Sequence, residues 1–216
     1  MRCLLASLVV FARSDLSQIR DVVYSYDALN RLTEVRYSSG LRIKYTHDPA
    51  GDRIKLEIVG VTMGSDFNCD GKPDTLWRNS SAGQNYLWFM NGTSLIGETF
   101  LASVPDTNWK IVGAADFNGD GKSDILWRNT VTGSNYLWYM KGVTRIGEAF
   151  LETVGDLSWR LVGIADFSAD RKPDLPWRNT ATGVNYVWLM NGVVLTTGSY
   201  LDTVKDPNWQ MILQPY

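Results

Sequence analysis

The chain has one histidine, His47, and two cysteines, Cys3 and Cys69, in 216 residues. That scarcity excludes a multi-histidine metal site, a thiolate zinc site and a disulfide framework. It also excludes a Ser-His-Asp site anywhere but at His47. Charge of one sign is equally scarce: 21 Lys and Arg stand against 23 Asp and Glu, a net charge of −2. Such a balance gives no general attraction to nucleic acid or to an anionic membrane, so neither is expected as a partner. No run is apolar over the ~20 residues that a bilayer requires, so no transmembrane segment is expected. No stretch carries a convincing helical period. The hydrophobic share is nevertheless 44%, that of a globular protein.

Met1 and Arg2 precede an apolar run from Cys3 to Ala12. A positive start, a short apolar core and a small residue at the boundary read as a secretory signal within residues 1–20. Cleavage after Ala12 would remove Cys3 and leave Cys69 unpaired. The expected location is therefore secreted or cell-surface.

What the chain has in excess is tryptophan, nine residues, with ten tyrosines. The tryptophans fall at 77, 88 and 109, at 127, 138 and 159, and at 177, 188 and 209. Each triplet is the previous one displaced by 50 positions, so all nine belong to one repeat. The middle copy shares Asp116, Phe117, Asp120, Lys122, Asp124, Trp127, Arg128, Asn129, Gly133, Asn135, Tyr136, Trp138 and Met140 with both others. Periods of 20 to 50 residues indicate solenoids, propellers or arrays. Within one copy, strands are predicted at 109–115, 125–129, 135–140 and 144–151, with a polar loop from Asp116 to Asp124. Lys141-Gly142, and Asn91-Gly92 and Asn191-Gly192 at the same place, suit a type I′ hairpin. Four antiparallel strands in such a unit make one propeller blade. The prediction is an all-β fold of three blades, 59–108, 109–158 and 159–208, with a fourth beginning at Asn208-Trp209. A β-solenoid is the second choice. The tryptophans are expected to pack neighbouring sheets together. Arg78, Arg128 and Arg178 are expected to hydrogen-bond or stack within their blades.

The polar loop carries the chemistry. Copy one has Asp66, Asn68, Asp70, Lys72 and Asp74 at loop positions 1, 3, 5, 7 and 9, and copy two has Asp116, Asn118, Asp120, Lys122 and Asp124. Side-chain oxygens at 1, 3, 5 and 9, with a backbone carbonyl at 7, can converge on one hard cation such as calcium. Gly71 and Gly121 at position 6 permit the sharp turn. An EF-hand is excluded, because its bidentate glutamate at position 12 is here Trp77, Trp127 or Trp177. Copy three reads Asp166, Ser168, Asp170, Lys172 and Asp174, with Arg171 in place of the glycine. Its site is expected to be weaker or empty.

These residues resemble the FG-GAP/VCBS repeat, which builds calcium-binding propellers in integrin alpha chains, secreted bacterial proteins and some fungal lectins. The resemblance covers about residues 59–216 and implies Ca2+ as the bound ion, held by the loop positions just named. It implies a non-enzymatic module for protein or glycan binding and adhesion. Closed family propellers usually have seven blades. Three blades leave open sheet faces through which copies can associate, unless an N-terminal sheet covers one of them.

Upstream, Tyr24-Ser-Tyr26-Asp27 with Arg31 is echoed by Tyr45-Thr-His47-Asp48 with Arg53. This resembles the YD (RHS) repeat of large secreted toxins and wall-associated proteins. It covers residues 22–58 and predicts a four-stranded meander at 22–26, 32–37, 41–46 and 53–59, within a segment bounded at 21–58. His47 takes a tyrosine position there and is expected to be a strand residue. The pairing of the two repeats gives a second functional reading, a piece of a toxin-complex-type or wall-associated protein. A third, a polysaccharide-active enzyme, would have to take its acids from the loop carboxylates, which the metal explains better.

Overall fold

A computed structural model describes residues 22–37, 42–59, 65–206 and 208–213. The signal reading of residues 1–20 falls outside them. Every described element is a strand, and all pairing is antiparallel, in four separate sheets of which none closes into a barrel. The chain divides into two units, residues 1–61 with 119–121, and residues 62–118 with 122–216.

The first unit is the meander, four strands paired in sequence order: β1 (Val22–Tyr26), β2 (Leu32–Tyr37), β3 (Arg42–His47) and β4 (Arg53–Val59). The Tyr-Asp motif acts through its aspartate. Asp27 Oδ1 accepts from the Leu29 and Arg31 amides at 2.9 and 3.0 Å, closing the β1–β2 turn, in which Asn30 takes a left-handed backbone. Those amide bonds, and then the Arg31 guanidinium, hold the Asp27 carboxyl below its ordinary range. Arg31 Nε donates to Asp27 Oδ2 at 2.7 Å, and Arg31 Nη1 reaches the Asp48 carbonyl at 2.9 Å, so the two turns are clasped together. His47 is the last residue of β3, opposite Arg53, as the strand reading expects.

The second unit holds the blades. The first is β5 (Thr75–Arg78), β6 (Asn85–Asn91) and β7 (Ser94–Leu101). The second is β8 (Trp109–Ala115), β9 (Asp124–Asn129), β10 (Asn135–Lys141) and β11 (Thr144–Leu151). The third is β12 (Trp159–Leu161), β13 (Leu175–Asn179), β14 (Asn185–Asn191) and β15 (Val194–Leu201). The second and third have the four strands expected; the first has three among the described residues. The other was expected from 59 onward: Val59 ends β4 and pairs with Arg42 in the meander, and residues 60–64 lie outside the described residues.

The hairpins differ from expectation in one respect. Asn91 pairs with Ser94 as a strand residue, so the central residues are Gly92-Thr93, and only the glycine has positive φ, 61°. Glycine at the first central position is the type II′ requirement, not type I′. Lys141 can therefore stand where Asn91 and Asn191 do.

Two apolar cores lie between consecutive blades. One gathers Phe67, Leu87, Leu101, Ile125, Trp127, Trp138 and Met140 from blades one and two. The other joins Phe117, Leu126, Leu137 and Leu151 of blade two to Leu175, Trp177, Trp188 and Met190 of blade three. In each blade the second- and third-strand tryptophans meet at 4.8 Å between ring centroids: Trp77–Trp88, Trp127–Trp138 and Trp177–Trp188. Trp127 and Trp177 are 1% exposed, as the packing role requires. Trp77 and Trp209 depart from it, at 47% and 65%.

The arginines do more than serve their own blade. Arg78 lies over the Trp127 ring at 5.0 Å, and Arg128 over Trp177 at 4.8 Å. Each guanidinium thus covers the tryptophan of the following blade. Within the blade, the turn glycine is fixed by backbone contact: Gly133 has φ 72°, and a Cβ there would overlap the Val154 carbonyl. Gly83 and Gly183 face Val104 and Val204 in the same way.

Candidate metal-binding loops

Each loop leads into its blade's second strand, β5, β9 or β13, and in copy one it folds around its own side chains. In copy one, Asp66 Oδ1 accepts from the Cys69 amide at 2.7 Å and Oδ2 from the Gly71 amide at 2.9 Å. Asn68 Oδ1 accepts from the Asp70 amide, and Asp70 Oδ1 from the Lys72 amide, both at 2.9 Å. Short Asx side chains bonding amides two residues on make tight turns. Positions 1, 3 and 5 are therefore folded back onto the loop.

Position 9 has a different duty. Asp74 Oδ2 accepts from the Phe67 amide at 2.8 Å and Oδ1 from the Met90 amide at 2.9 Å, fastening the loop to β6. Asp124 does the same with Phe117 and Met140, and Asp174 with Phe167 and Met190. These carboxylates are 4%, 0% and 0% exposed. The spacing pattern alone does not distinguish this anchor from a ligand.

Hard-cation chemistry fits the donor set: carboxylate and amide oxygens at 1, 3 and 5, with the carbonyl of position 7. A carboxylate has about four lone-pair sites, and Asp66 and Asp74 each commit two to amides, which leaves capacity for an ion. Among the described residues, no three His, Cys, Asp or Glu side chains are gathered close enough to hold an ion by themselves. The Lys72 ammonium turns to Asn91 Oδ1 at 2.6 Å.

The loops also touch one another. Lys122 Nζ donates to Cys69 Sγ at 2.9 Å, and Ser123 Oγ to the Asp66 carbonyl at 3.2 Å, linking loop one to loop two. Stiffening one loop therefore bears on the junction between two blades. Nothing in the residue spacing signals this pairing.

Backbone conformation reveals a further requirement. Position 6 is left-handed in all copies, at Gly71, Gly121 and Arg171, with φ of 86°, 76° and 67°. So is position 4, at Cys69, Gly119 and Ala169, with φ of 61°, 77° and 59°. The small residues at position 4 were the available signal. Copy three thus holds two non-glycine residues in a region that costs about 1–2 kcal/mol each. Its hydrogen bonds shift as well: Ser168 is too short to take the Asp170 amide, which goes to Asp166 Oδ1 at 3.1 Å. Arg171→Gly is expected to raise the melting temperature by about 2–8 °C, and Ala169→Gly with it by roughly twice that. An unchanged or lower value in differential scanning calorimetry would show that the third loop bears no strain.

Residues 66–127 match the model of the FG-GAP-like repeat, and residues 23–58 match that of the RHS repeat. A comparison with curated proteins gives no match. The chain is thus similar to the RHS repeat over the meander, and to the FG-GAP-like repeat over a segment that runs from the first loop into β9 of the second blade.

Proposed function

We propose that this chain is a secreted or cell-surface binding module, without enzymatic activity, whose blade loops are stiffened by Ca2+ and whose partner is a protein or a glycan. The observation that carries it is the loop itself: acidic and amide side chains at positions 1, 3 and 5 of loop one, folded back onto the loop. Asp66, Asn68, Asp70 and the Lys72 carbonyl would hold the ion in loop one, with Asp116, Asn118, Asp120 and the Lys122 carbonyl in loop two. Asp74 and Asp124 anchor these loops and have oxygen capacity left for it. A bound cation would supply charge neutralisation to the loop's carboxylates. The chain's own residues supply the rest: amides fix the carboxylates, and Lys122 and Ser123 pass the loop's rigidity to its neighbour.

Calorimetric titration of the chelated chain is expected to show at least two calcium sites, and Asp120→Ala one fewer. At 100 times its dissociation constant one site adds about 2.7 kcal/mol, or roughly 5–10 °C in melting temperature. Magnesium, which demands tighter octahedral geometry, is expected to do less. No calcium uptake at millimolar concentration overturns the metal assignment. Glycan and cell-surface protein arrays then separate the two partner classes, and polysaccharide hydrolysis would contradict the non-enzymatic reading. The RHS repeat ahead of the blades supports a second reading, a component of a larger toxin-complex-type or wall-associated protein.

A further inference from the structure

The first strands of blades two and three set like charges against each other. Lys110 of β8 stands directly opposite Arg128 of β9, and Arg160 of β12 opposite Arg178 of β13. Directly opposed like charges weaken a strand pair, so the arrangement calls for a negative partner. Neither Lys110 nor Arg160 has a side-chain hydrogen bond or an ion pair among the described residues. The acids that precede these strands are occupied in their own turns. Asp106 accepts from the Asn108 amide at 2.9 Å and from Asn129 Nδ2 at 3.2 Å, and Asp156 accepts from the Ser158 amide at 2.9 Å.

Arg128 is the buried member of this group. It is 7% exposed, and its hydrogen bonds all go to neutral oxygens: the Gly133, Val154 and Trp159 carbonyls and Asn135 Oδ1. Burial lowers its pKa and that of Arg78 one blade earlier, but at Arg78 the Asp106 charge opposes the shift. A buried charge without an opposite one is costly.

The three cations meet at one cavity of about 520 Å3, lined from both first strands by Lys110, Val112, Arg128, Trp159, Arg160 and Leu161 among others. Among the described residues no aspartate or glutamate lines it. Cations set in a cleft with low-dielectric walls focus the potential and draw in anions.

We propose that this cavity between blades two and three binds an oxyanion, a sulfate, phosphate or carboxylate group, held by Lys110 and Arg160 with Arg128 adding its charge. Arg160 offers a planar fork of donors that suits such a group, and Lys110 a compact charge. The group is either a free ion or part of an acidic sugar. A free ion would leave most of the volume empty. The cavity has the size of a small-molecule site, roughly 300–1,000 Å3, and Val112, Trp159 and Leu161 give it apolar walls for a sugar ring. The sugar deepens the glycan reading above and rests on it; the oxyanion does not, and neither rests on calcium.

Titration calorimetry of the full chain in chelator, at low salt so that screening is weak, tests this with three probes. Glucose 6-sulfate is expected to bind at least tenfold tighter than glucose. Inorganic sulfate separates the sources: binding weaker than that of glucose 6-sulfate assigns the site to an acidic sugar, and equal binding assigns it to a free oxyanion. Lys110→Gln and Arg160→Gln should each weaken glucose 6-sulfate by about three- to tenfold, and the double variant should lose it, while Lys110→Arg keeps it. Both positions are exposed, so the variants should melt like the wild type. If neither sulfate binds the wild type, or the double variant binds both as the wild type does, the site is overturned. A tetra-aspartate peptide that binds tenfold tighter than glucose 6-sulfate overturns the small-anion assignment. Neutral glycans or proteins captured on the arrays, with no sulfate bound, would overturn this proposal and leave the binding-module reading standing.

Discussion

Replacing Arg128 by alanine is expected to destabilise the blades by about 3–5 kcal/mol, several hydrogen bonds to a charged group being lost with a cation–π contact. One guanidinium makes four hydrogen bonds. Nη1 donates to the Gly133 carbonyl at 3.0 Å and to Asn135 Oδ1 at 3.1 Å. Nη2 donates to the Val154 and Trp159 carbonyls, both at 3.1 Å. Trp159 belongs to the next blade, as does Trp177, whose ring lies under the guanidinium. Arg128 is 7% exposed, so water cannot readily take over these acceptors. Burial also holds its pKa below the usual guanidinium value. The fall in melting temperature should be roughly 6–20 °C for a domain of this size. Arg128→Lys should recover less than half, because an ammonium is a point donor and cannot fork between carbonyls on two sides. Arg78→Ala should cost less, since Arg78 is only half-buried. A loss below about 1 kcal/mol for Arg128→Ala would show that the interblade contact is not what holds these sheets together.

The repeat made the blades legible because every copy repeats the same errors and the same rules. Fifty-residue displacement of nine tryptophans and the Gly133-type turns were enough to place β9, β10 and β11 within a residue or two. The junctions were less legible. Sequence position says that Arg128 precedes Asn129, but nothing in it says that the side chain crosses to the next blade. Which tryptophan is buried also depends on neighbours: Trp77 and Trp127 have the same local sequence and differ from 47% to 1% exposed. The expected boundary of blade one at 59 fell on a residue of the meander, since Val59 pairs with Arg42. At the loop, the oxygen spacing was plain and its division of labour was not. An aspartate that closes a turn, one that anchors a loop and one that binds an ion are the same letter. Only the partner of each oxygen separates them.

Asp124→Asn tests that division, and its effect is expected in chelator as well as in calcium. Asp124 is 0% exposed, and its two oxygens accept from the Phe117 amide at 3.0 Å and the Met140 amide at 2.8 Å. Its charge, after burial, also raises the pKa of the nearby Tyr139 phenol. Asparagine keeps one carbonyl oxygen and turns an NH2 group toward the other amide, donor against donor. A buried amide without an acceptor costs about 1–3 kcal/mol, and the weakened charge-assisted bond adds to it, so a loss of about 2–4 kcal/mol is expected without any metal. If Asp124 also ligates calcium, the loss in calcium should exceed the loss in chelator by the binding energy given up at that loop. Asp120→Ala provides the contrast. Its counterpart in loop one, Asp70, accepts an amide of its own loop, so the greater part of its effect is expected in calcium. Melting curves of both variants, each recorded with calcium and with chelator, give four differences. If Asp124→Asn melts like the wild type in chelator, the anchoring role is wrong, and the carboxylate at position 9 is there for the ion alone.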